Sequence, residues 1–320
     1  MLRAAVLLAG LGALLVAAPA LAGNGGLAPV APASENAEGI RDAYWFILAV
    51  TGFVFVVVET TLIVFLVRYR RRRRARDEEG PQLHGNTNLE IAWTVVPVLL
   101  LAAVVAFIFT KLPVIEDAPA AGPGNGLTVE VEGHQYYWLY RYPGGQVAVD
   151  NMVVPVGQVV NLDVTAPDVI HSWWIPALGG KIDAIPGRMN HTWFKAERTG
   201  VFTGRCAELC GTQHAIMLAS VRVVSAPEFA RFLAAHSESS NTVGKETFEG
   251  ACAKCHGLSG EGTEEAPPIA GREFDALTVA LIRNGGTRMP AIGADWSDAQ
   301  INATIAYLNA TIGAGAQSGG

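Results

Sequence analysis

Two long apolar stretches constrain this 320-residue chain most strongly. The first covers residues 45–67 and the second residues 91–110, so as helices they would be about 35 and 30 Å long, enough to cross a bilayer. Half of all residues are apolar and only 16% are charged, which is low for a soluble protein. We therefore expect a membrane-anchored chain whose two spans form an antiparallel hairpin over residues 41–112.

The charges beside these stretches predict the direction in which they cross. Seven arginines lie between Arg68 and Arg76, in the loop that joins the two spans. Under the positive-inside rule this loop is cytoplasmic, so everything after Lys111 lies on the outer side of the membrane. A basic run can also bind nucleic acid. Enclosed between two spans, however, this one indicates topology, and we expect no nucleic-acid partner.

The N-terminus has the pattern of a secretory signal peptide over residues 1–22. Arg3 provides the positive start, an apolar run follows, and Ala20-Leu-Ala22 is a small-residue cleavage site. An uncleaved membrane anchor is the alternative. Residues 23–40, rich in Gly, Ala and Pro, would then be a flexible mature N-terminus.

Beyond the second span, apolar and polar residues alternate in short runs separated by Gly and Pro. Examples are Leu127–Glu132, Val159–Val164, Val201–Gly204 and Leu218–Val224. A period of two is typical of half-buried strands, so we expect a β-sandwich or barrel of about a hundred residues. Residues 123–228 would form this domain. It resembles a cupredoxin in that its candidate metal ligands come late, near the loop before the last strand, on loops held by the sheet.

One segment near the end of this domain carries four soft or borderline donor groups. They are two thiols, an imidazole and a thioether: Cys206, Cys210, His214 and Met217. Such donors suit copper better than magnesium or calcium, and a structural zinc site rarely takes a thioether. Two thiols on one short loop could bridge two metal ions, and His171 is the candidate for a second imidazole. A disulfide, or a core methionine beside an unrelated histidine, is the alternative.

A second cysteine pair occurs in Cys252-Ala-Lys-Cys255-His256, a C-x-x-C-H motif of the kind that attaches haem c through two thioether bonds. His256 would be one axial ligand of the iron and Met289, downstream, the other. A thioredoxin-like motif is the alternative, but no βαβ pattern surrounds the cysteines. The segment formed by residues 244–313 resembles a small all-α class I cytochrome c domain, and its last helix should begin at Ser297. Residues 229–243 would be a linker and 314–320 a tail.

The loop from Cys206 to Met217, with His171-Ser-Trp-Trp-Ile-Pro and the segment Leu178–Arg188, resembles cytochrome c oxidase subunit II. The resemblance extends to about residue 230. It implies a dinuclear copper A centre in which the two cysteines bridge the coppers and each histidine binds one of them. A thioether and a backbone carbonyl complete the ligand set. The implied ligands are His171, Cys206, Glu208 (carbonyl), Cys210, His214 and Met217. The Glu208 carboxylate would bind magnesium shared with subunit I.

The resemblance also implies roles outside the copper loop. Glu90 would mark the mouth of a proton-uptake path in subunit I, although a carboxylate is also favoured at a helix N-terminus. Tyr136 takes the position of a surface tryptophan that receives electrons from soluble cytochrome c in the family, and Trp138 is a second candidate for that role. In the haem segment, the carbonyl of Pro267 would orient His256. Glu59, inside the first span, should face protein rather than lipid.

Taken as a whole, the multidomain chain resembles subunit II of caa-type haem-copper oxidases, which carry a fused cytochrome c. An external donor, such as a cytochrome bc complex or soluble cytochrome c, would reduce haem c. Electrons would then pass through copper A to subunit I, where oxygen is reduced with proton pumping; subunit III would be a further partner. The resemblance thus implies the electron-input subunit of cytochrome c oxidase, an oxidoreductase and translocase of the bacterial inner membrane.

Two other classes of function remain open from the sequence. The chain could be a membrane-tethered electron shuttle or copper-binding protein with no oxidase partner. It could also be a subunit of a copper-A-containing nitric-oxide reductase, although the two-span hairpin with the Glu90 segment argues against that.

Overall fold

The computed structural model describes residues 29–69, 82, 84–119 and 126–314. The predicted signal peptide, the arginine block beyond Tyr69 and the last six residues of the predicted tail lie outside these ranges. The described residues fall into two compact units. Residues 38–117 form one unit, and the residues before and after them form the other.

The first unit is a pair of long helices, and each contains one of the predicted spans. The segment Glu35–Arg68 forms α1 and Thr87–Glu116 forms α2, and both are long and apolar enough to cross a membrane. Phe46 stacks on Phe107 with ring centroids 4.1 Å apart, and Lys111 donates to Asp42 at 2.7 Å. These pairs run in opposite directions along the two helices, as the predicted antiparallel hairpin requires.

The second unit begins with two five-stranded sheets packed face to face. One has the strand order β3-β2-β1-β5-β8 and the other β4-β10-β9-β6-β7. The strands are β1 Gly126–His134, β2 Tyr137–Arg141, β3 Val147–Val149, β4 Asn151–Pro155, β5 Val159–Thr165, β6 His171–Trp174, β7 Ile182–Ala184, β8 Asn190–Lys195, β9 Gly200–Cys206 and β10 Leu218–Val224. The predicted alternating runs lie on four of these strands, and the β-sandwich is confirmed.

The core between the sheets is built from the inward-facing residues of both. Val129, Trp138, Leu162 and Val221 are completely buried there. On β1 exposed and buried positions alternate at its start, as a strand with one face in a core requires.

The segment before α1 differs from the predicted flexible N-terminus. Ala33 and Ser34 are buried, and Ser34 pairs with Ala196 at the edge of the sandwich. Its hydroxyl donates to the carbonyl of Leu178 at 2.7 Å, and Asn36 donates to the carbonyl of Trp193. Small polar side chains thus satisfy backbone carbonyls of the sandwich, which orders residues 33–37.

The chain after β10 is helical. Its helices are α3 Ala226–Ala235, α4 Asn241–Thr247, α5 Ala253–His256, α6 Ala276–Asn284 and α7 Asp298–Thr311, with a π-helical turn at Phe248–Cys252 before α5. Ser297 caps α7 by accepting from the amide of Gln300, as predicted. The predicted linker is ordered over its length, because Phe232 of α3 packs into the sandwich core and Gln146 pairs with Ser237.

Candidate metal centres

The soft donors meet at one end of the sandwich, where neighbouring strands end. His171 is the first residue of β6, and Cys206 is the last residue of β9, which pairs with β6. Met217 lies just before β10, and its carbonyl accepts from the Cys206 amide at 2.9 Å. The loop between Cys206 and Met217 therefore has both ends fixed on adjacent strands.

The donor atoms form a continuous cluster. The two thiol sulfurs of Cys206 and Cys210 are 3.9 Å apart. Cys206 Sγ lies 3.9 Å from His171 Nδ1 and 3.2 Å from the carbonyl oxygen of Glu208. Cys210 Sγ lies 3.6 Å from His214 Nδ1 and 3.8 Å from the Met217 thioether. The structure thus brings together every donor that the sequence nominated for this site.

The chemistry of this donor set fits a pair of soft metal ions. A single tetrahedral zinc needs four ligands. Six donors converge here, and each thiol has its own imidazole and one further weak donor beside it. His171, Cys206 and Met217 are buried, so water has little access to the inner side of the cluster. Thiolate, imidazole and thioether together favour copper.

Asp168 was not assigned a role from the sequence, yet it holds one of these imidazoles in place. Its carboxylate lies 2.9 Å from His171 Nε2, and this contact leaves Nδ1 facing the thiols. Burial alone would raise the pKa of Asp168, but hydrogen bonds from His171, Val169 and Gln135 outweigh it and lower that pKa. An anionic Asp168 fixes both the tautomer and the orientation of the ring, as carboxylates beside metal-bound histidines do.

The surroundings of the two thiols shift their pKa values in opposite directions. Burial raises the pKa of Cys206, but the His171 hydrogen bond and backbone contacts lower it to about 6. Burial, followed by the neighbouring Cys206 thiolate, raises the pKa of Cys210 to about 12. Burial and the neighbouring Cys206 thus disfavour ionisation of Cys210, and a bound cation would favour the thiolate form of both residues.

The aromatic residues of β2, and the tyrosine just before it, lie in contrasting environments. Trp138 is completely buried and packs edge-on against His171, with ring centroids 5.9 Å apart, so it is not a surface residue. Tyr136 is partly exposed, and its hydroxyl contacts Thr212 in the metal loop. Tyr137, which the sequence did not single out, is completely buried against the helical domain.

The C-x-x-C-H motif lies at the junction of the π-helical turn and α5. Cys252 and Cys255 are both free thiols, one helical turn apart, and His256 follows directly. His256 Nδ1 lies 2.9 Å from the carbonyl of Pro267, the contact implied by the family resemblance. This contact leaves Nε2 as the available ligand atom, which fits a c-type haem held by two thioethers and an axial imidazole.

Met289 packs at the edge of the helical domain's core. An open groove of about 420 Å³ lies beside Pro267, lined by residues 261–264, 266–268 and Arg288. The groove therefore adjoins both the segment that orients His256 and the residue before Met289.

The remaining candidates lie outside both clusters. Glu90 is in the first turn of α2, where its carboxylate accepts from the amide of Asn86 at 3.2 Å and closes the helix N-terminus. The Glu208 side chain is exposed, whereas its carbonyl faces the thiol cluster. Glu59 is partly exposed on α1, among apolar side chains that are exposed in the isolated chain.

A pair of membrane-type helices, a cupredoxin-like sandwich with a soft-donor cluster and a cytochrome-like helical domain define a membrane-anchored electron-transfer subunit. Comparison with known families agrees with this class. The transmembrane domain of cytochrome c oxidase subunit II matches residues 24–111, and its periplasmic domain matches residues 145–224. Residues 239–308 match the family described as cytochrome c oxidase, cbb3-type, subunit III.

Individual proteins give the same result. Cytochrome c oxidase subunit 2 of Alkalihalophilus pseudofirmus is 36% identical over 85% of this chain and 87% of its own length. The subunit 2 of Cereibacter sphaeroides is also 36% identical, over 57% of this chain and 73% of its own. A crystal structure of the periplasmic domain of cytochrome oxidase subunit II of Bradyrhizobium japonicum is 43% identical, with a TM-score of 0.34, and covers 37% of this chain and 94% of that one. The chain belongs to the cytochrome c oxidase subunit II family and carries a C-terminal cytochrome c domain.

Proposed function

We propose that this chain accepts electrons at a covalent haem c on Cys252 and Cys255 and delivers them, through a dinuclear copper A centre, to subunit I of the oxidase. The copper ligands are His171, Cys206, the Glu208 carbonyl, Cys210, His214 and Met217. The haem iron is held by His256 and Met289. The observation that carries the proposal is the convergence of six soft donors at the sandwich end, each within 3.9 Å of a thiol sulfur.

Bound copper and haem supply reversible one-electron chemistry, and the protein supplies geometry and shielding. Asp168 accepts a hydrogen bond from Nε2–H of His171, so that Nδ1 of the same ring faces the thiols. The Pro267 carbonyl does the same for the other imidazole by holding Nδ1 of His256. Because both rings are fixed from behind, a change in metal charge requires little movement of the ligands, which favours fast electron transfer.

For the surroundings of the chain, our proposal is carried over from the family that it resembles. Subunit I is the partner that reduces oxygen and pumps protons, with subunit III as a further partner and magnesium bound between subunit I and the Glu208 carboxylate. Glu90 lies at the mouth of a proton path in subunit I. The signal peptide is cleaved after Ala22, both redox domains face the periplasm, and the arginine-rich loop is cytoplasmic. A cytochrome bc complex or soluble cytochrome c donates to the haem.

The test is cofactor analysis of the full chain, produced in a bacterium that matures c-type haem and purified in detergent with copper. We expect about two coppers and one covalent haem per chain, with an electron paramagnetic resonance signal from one electron shared by both coppers. The variant Cys206→Ser should lose this signal and keep the haem, and the double variant Cys252→Ala/Cys255→Ala should do the reverse. Zinc, or a Cys206–Cys210 disulfide, in place of copper would refute the copper assignment.

A further inference from the structure

The cytochrome domain and the sandwich share a hydrophobic core. On β2, Trp138 and Tyr140 face the sandwich interior, and Tyr137 and Leu139 face the opposite way. An outward-facing strand residue is normally solvated, but both of these are completely buried under the cytochrome domain. The Tyr137 hydroxyl accepts from Trp296 Nε1 at 2.8 Å and donates to the carbonyl of Ile292 at 3.2 Å.

The haem-attachment motif itself supplies a charged anchor to the sandwich. Lys254, between the two cysteines, donates to the Asp150 carboxylate at 2.7 Å and to the Tyr136 carbonyl at 2.6 Å. The other Asp150 oxygen accepts from the Trp138 amide at 2.9 Å, so the carboxylate is part of the sandwich framework. Its side chain and that of Lys254 are only 20% and 14% exposed. Removing one partner from such a pair leaves a poorly solvated charge on the other.

Two further contacts bring the surfaces together. Gly250, two residues before the motif, lies so close to Val149 of β3 that any Cβ at this position would clash with the Val149 side chain. The amide of Val149 donates to the carboxylate of Glu246 on α4 at 3.5 Å. The Gly250 backbone thus lies directly against the Val149 side chain, and the Val149 backbone is bound by a side chain of the cytochrome domain.

One residue links the two cofactor segments. The Gln213 amide group donates to the Lys254 carbonyl at 3.3 Å, and its oxygen lies 3.9 Å from the Cys255 sulfur. Gln213 directly precedes His214, whose Nδ1 is 3.6 Å from Cys210 Sγ. The Cys255 sulfur is therefore in contact with a side chain of the copper loop, and that side chain belongs to the residue next to His214.

We propose that Lys254, Asp150, Tyr137 and Gly250 form a docking joint that holds the haem-attachment turn against the copper loop, with Gln213 as the bridge between Cys255 and His214. The fused cytochrome is then a fixed internal donor that covers the outward face of β2. The docking stands on the contacts alone. Its role in electron transfer rests on the proposed function, and the transfer moves one electron with no bond made or broken.

The test compares Lys254→Met with Lys245→Met in the full chain. Lys245 is an exposed lysine of the same domain whose nearest carboxylate, Glu249, is its neighbour on the next turn. Hydrogen exchange at Val149 reports docking without any cofactor, because its amide donates to Glu246 of the cytochrome domain. We expect Lys254→Met to raise exchange there at least tenfold while β5 is unchanged, and Lys245→Met to have no effect.

In the chain with copper and haem bound, the second readout is the rate of electron transfer from haem to copper after photoreduction of the haem. We expect Lys254→Met to slow it at least tenfold and Gln213→Ala to slow it without changing hydrogen exchange. Covalent haem content verifies that each variant has folded, and Lys254→Arg should recover part of the protection. Unchanged exchange in Lys254→Met would overturn the joint. A wild-type chain without a two-copper signal would instead overturn the proposed function and leave the exchange result to decide the docking.

Discussion

The copper-type cluster and the haem-attachment segment lie in one compact unit but are held in different ways. The cluster's buried donors belong to the core of the sandwich, at the ends of paired strands. The haem segment packs against a second core, which takes Tyr137, Leu139, Val147 and Val149 from the sandwich. The cytochrome domain therefore depends on the sandwich for part of its interior, whereas every donor of the copper-type cluster comes from the sandwich domain.

This difference concerns how a cofactor site is preorganised. A sheet fixes loop ends through backbone hydrogen bonds, so the soft donors are positioned by the strands that flank their loop. Short helices such as α5, with four residues, have little intrinsic stability and depend on tertiary packing. The haem site should thus respond strongly to changes at the shared core, and the copper site only to changes within the sandwich.

The largest expected effect comes from Tyr137→Ala. Truncating a fully buried aromatic side chain costs about 3–5 kcal/mol, and here the loss falls on the shared core. The midpoint of denaturant unfolding, followed by haem absorbance, should therefore fall to a lower denaturant concentration. The copper signal of the folded chain should be retained. Tyr137→Phe keeps the ring and should cost only about 1 kcal/mol, for the lost hydrogen bonds. Loss of copper together with haem would contradict the separation of the two sites.

The two candidate methionine ligands provide the next contrast. Met217 is completely buried, so Met217→Ala should lower the free energy of unfolding by about 2–5 kcal/mol. Met217→Leu preserves volume and should cost less than about 1.5 kcal/mol while still altering the copper spectrum. Met289 is partly exposed, and Met289→Ala should change the haem spectrum with a smaller stability loss. Equal stability losses for the two alanine variants would contradict this contrast.

A smaller effect is expected for Asp168→Asn, which weakens the support behind His171. Loss of a carboxylate behind a metal-bound histidine reduces metal affinity by about 10–100-fold. Competition with a copper chelator measures this affinity, and haem content should not change. Asp183→Asn, an exposed carboxylate on the neighbouring strand β7, is the matched control. Equal affinities in the two variants would remove Asp168 from the site.

The smallest effect concerns the polar edge of the shared core, where Arg141 donates to Glu132 at 2.9 Å and to the carbonyl of Asp295. Burial raises the pKa of Glu132, but hydrogen bonds from His134 and Arg141 outweigh it and lower the pKa overall. The stabilisation is therefore complete above the unfolded pKa of about 4.3 and is lost as pH falls through the lower folded value. We expect Glu132→Gln to cost about 1 kcal/mol at neutral pH and to remove this pH dependence.

Glu130, two residues earlier on β1, is the control for this measurement. Burial, followed by repulsion from Glu132, raises its pKa. Folding therefore disfavours the charged form of Glu130. We expect Glu130→Gln to leave unchanged the loss of stability that the wild-type chain shows as the pH falls. If both variants respond to pH in the same way, the Glu132–Arg141 pair does not account for the effect.

Much of the architecture could be predicted because its signals are local. Apolar runs predicted the two helices, alternation predicted the sandwich, and the cap at Ser297 predicted the last helix. The shared core was missed, although a signal existed. The run Tyr137-Trp-Leu-Tyr140 is apolar at every position, and all four side chains are buried. An uninterrupted apolar strand predicts that both of its faces are covered, and here the second face is covered by the cytochrome domain.

The sequence by itself determined which ligand types this protein offers and in what order, because donor chemistry and short spacings belong to the chain and not to its folding partners. Only the tertiary structure decided how the two redox segments meet. Lys254 and Asp150 are 104 positions apart, and Trp296 and Tyr137 are 159 apart. Contacts between residues so far apart in sequence depend on how whole surfaces of the two domains fit together. No local sequence period or short motif encodes that fit.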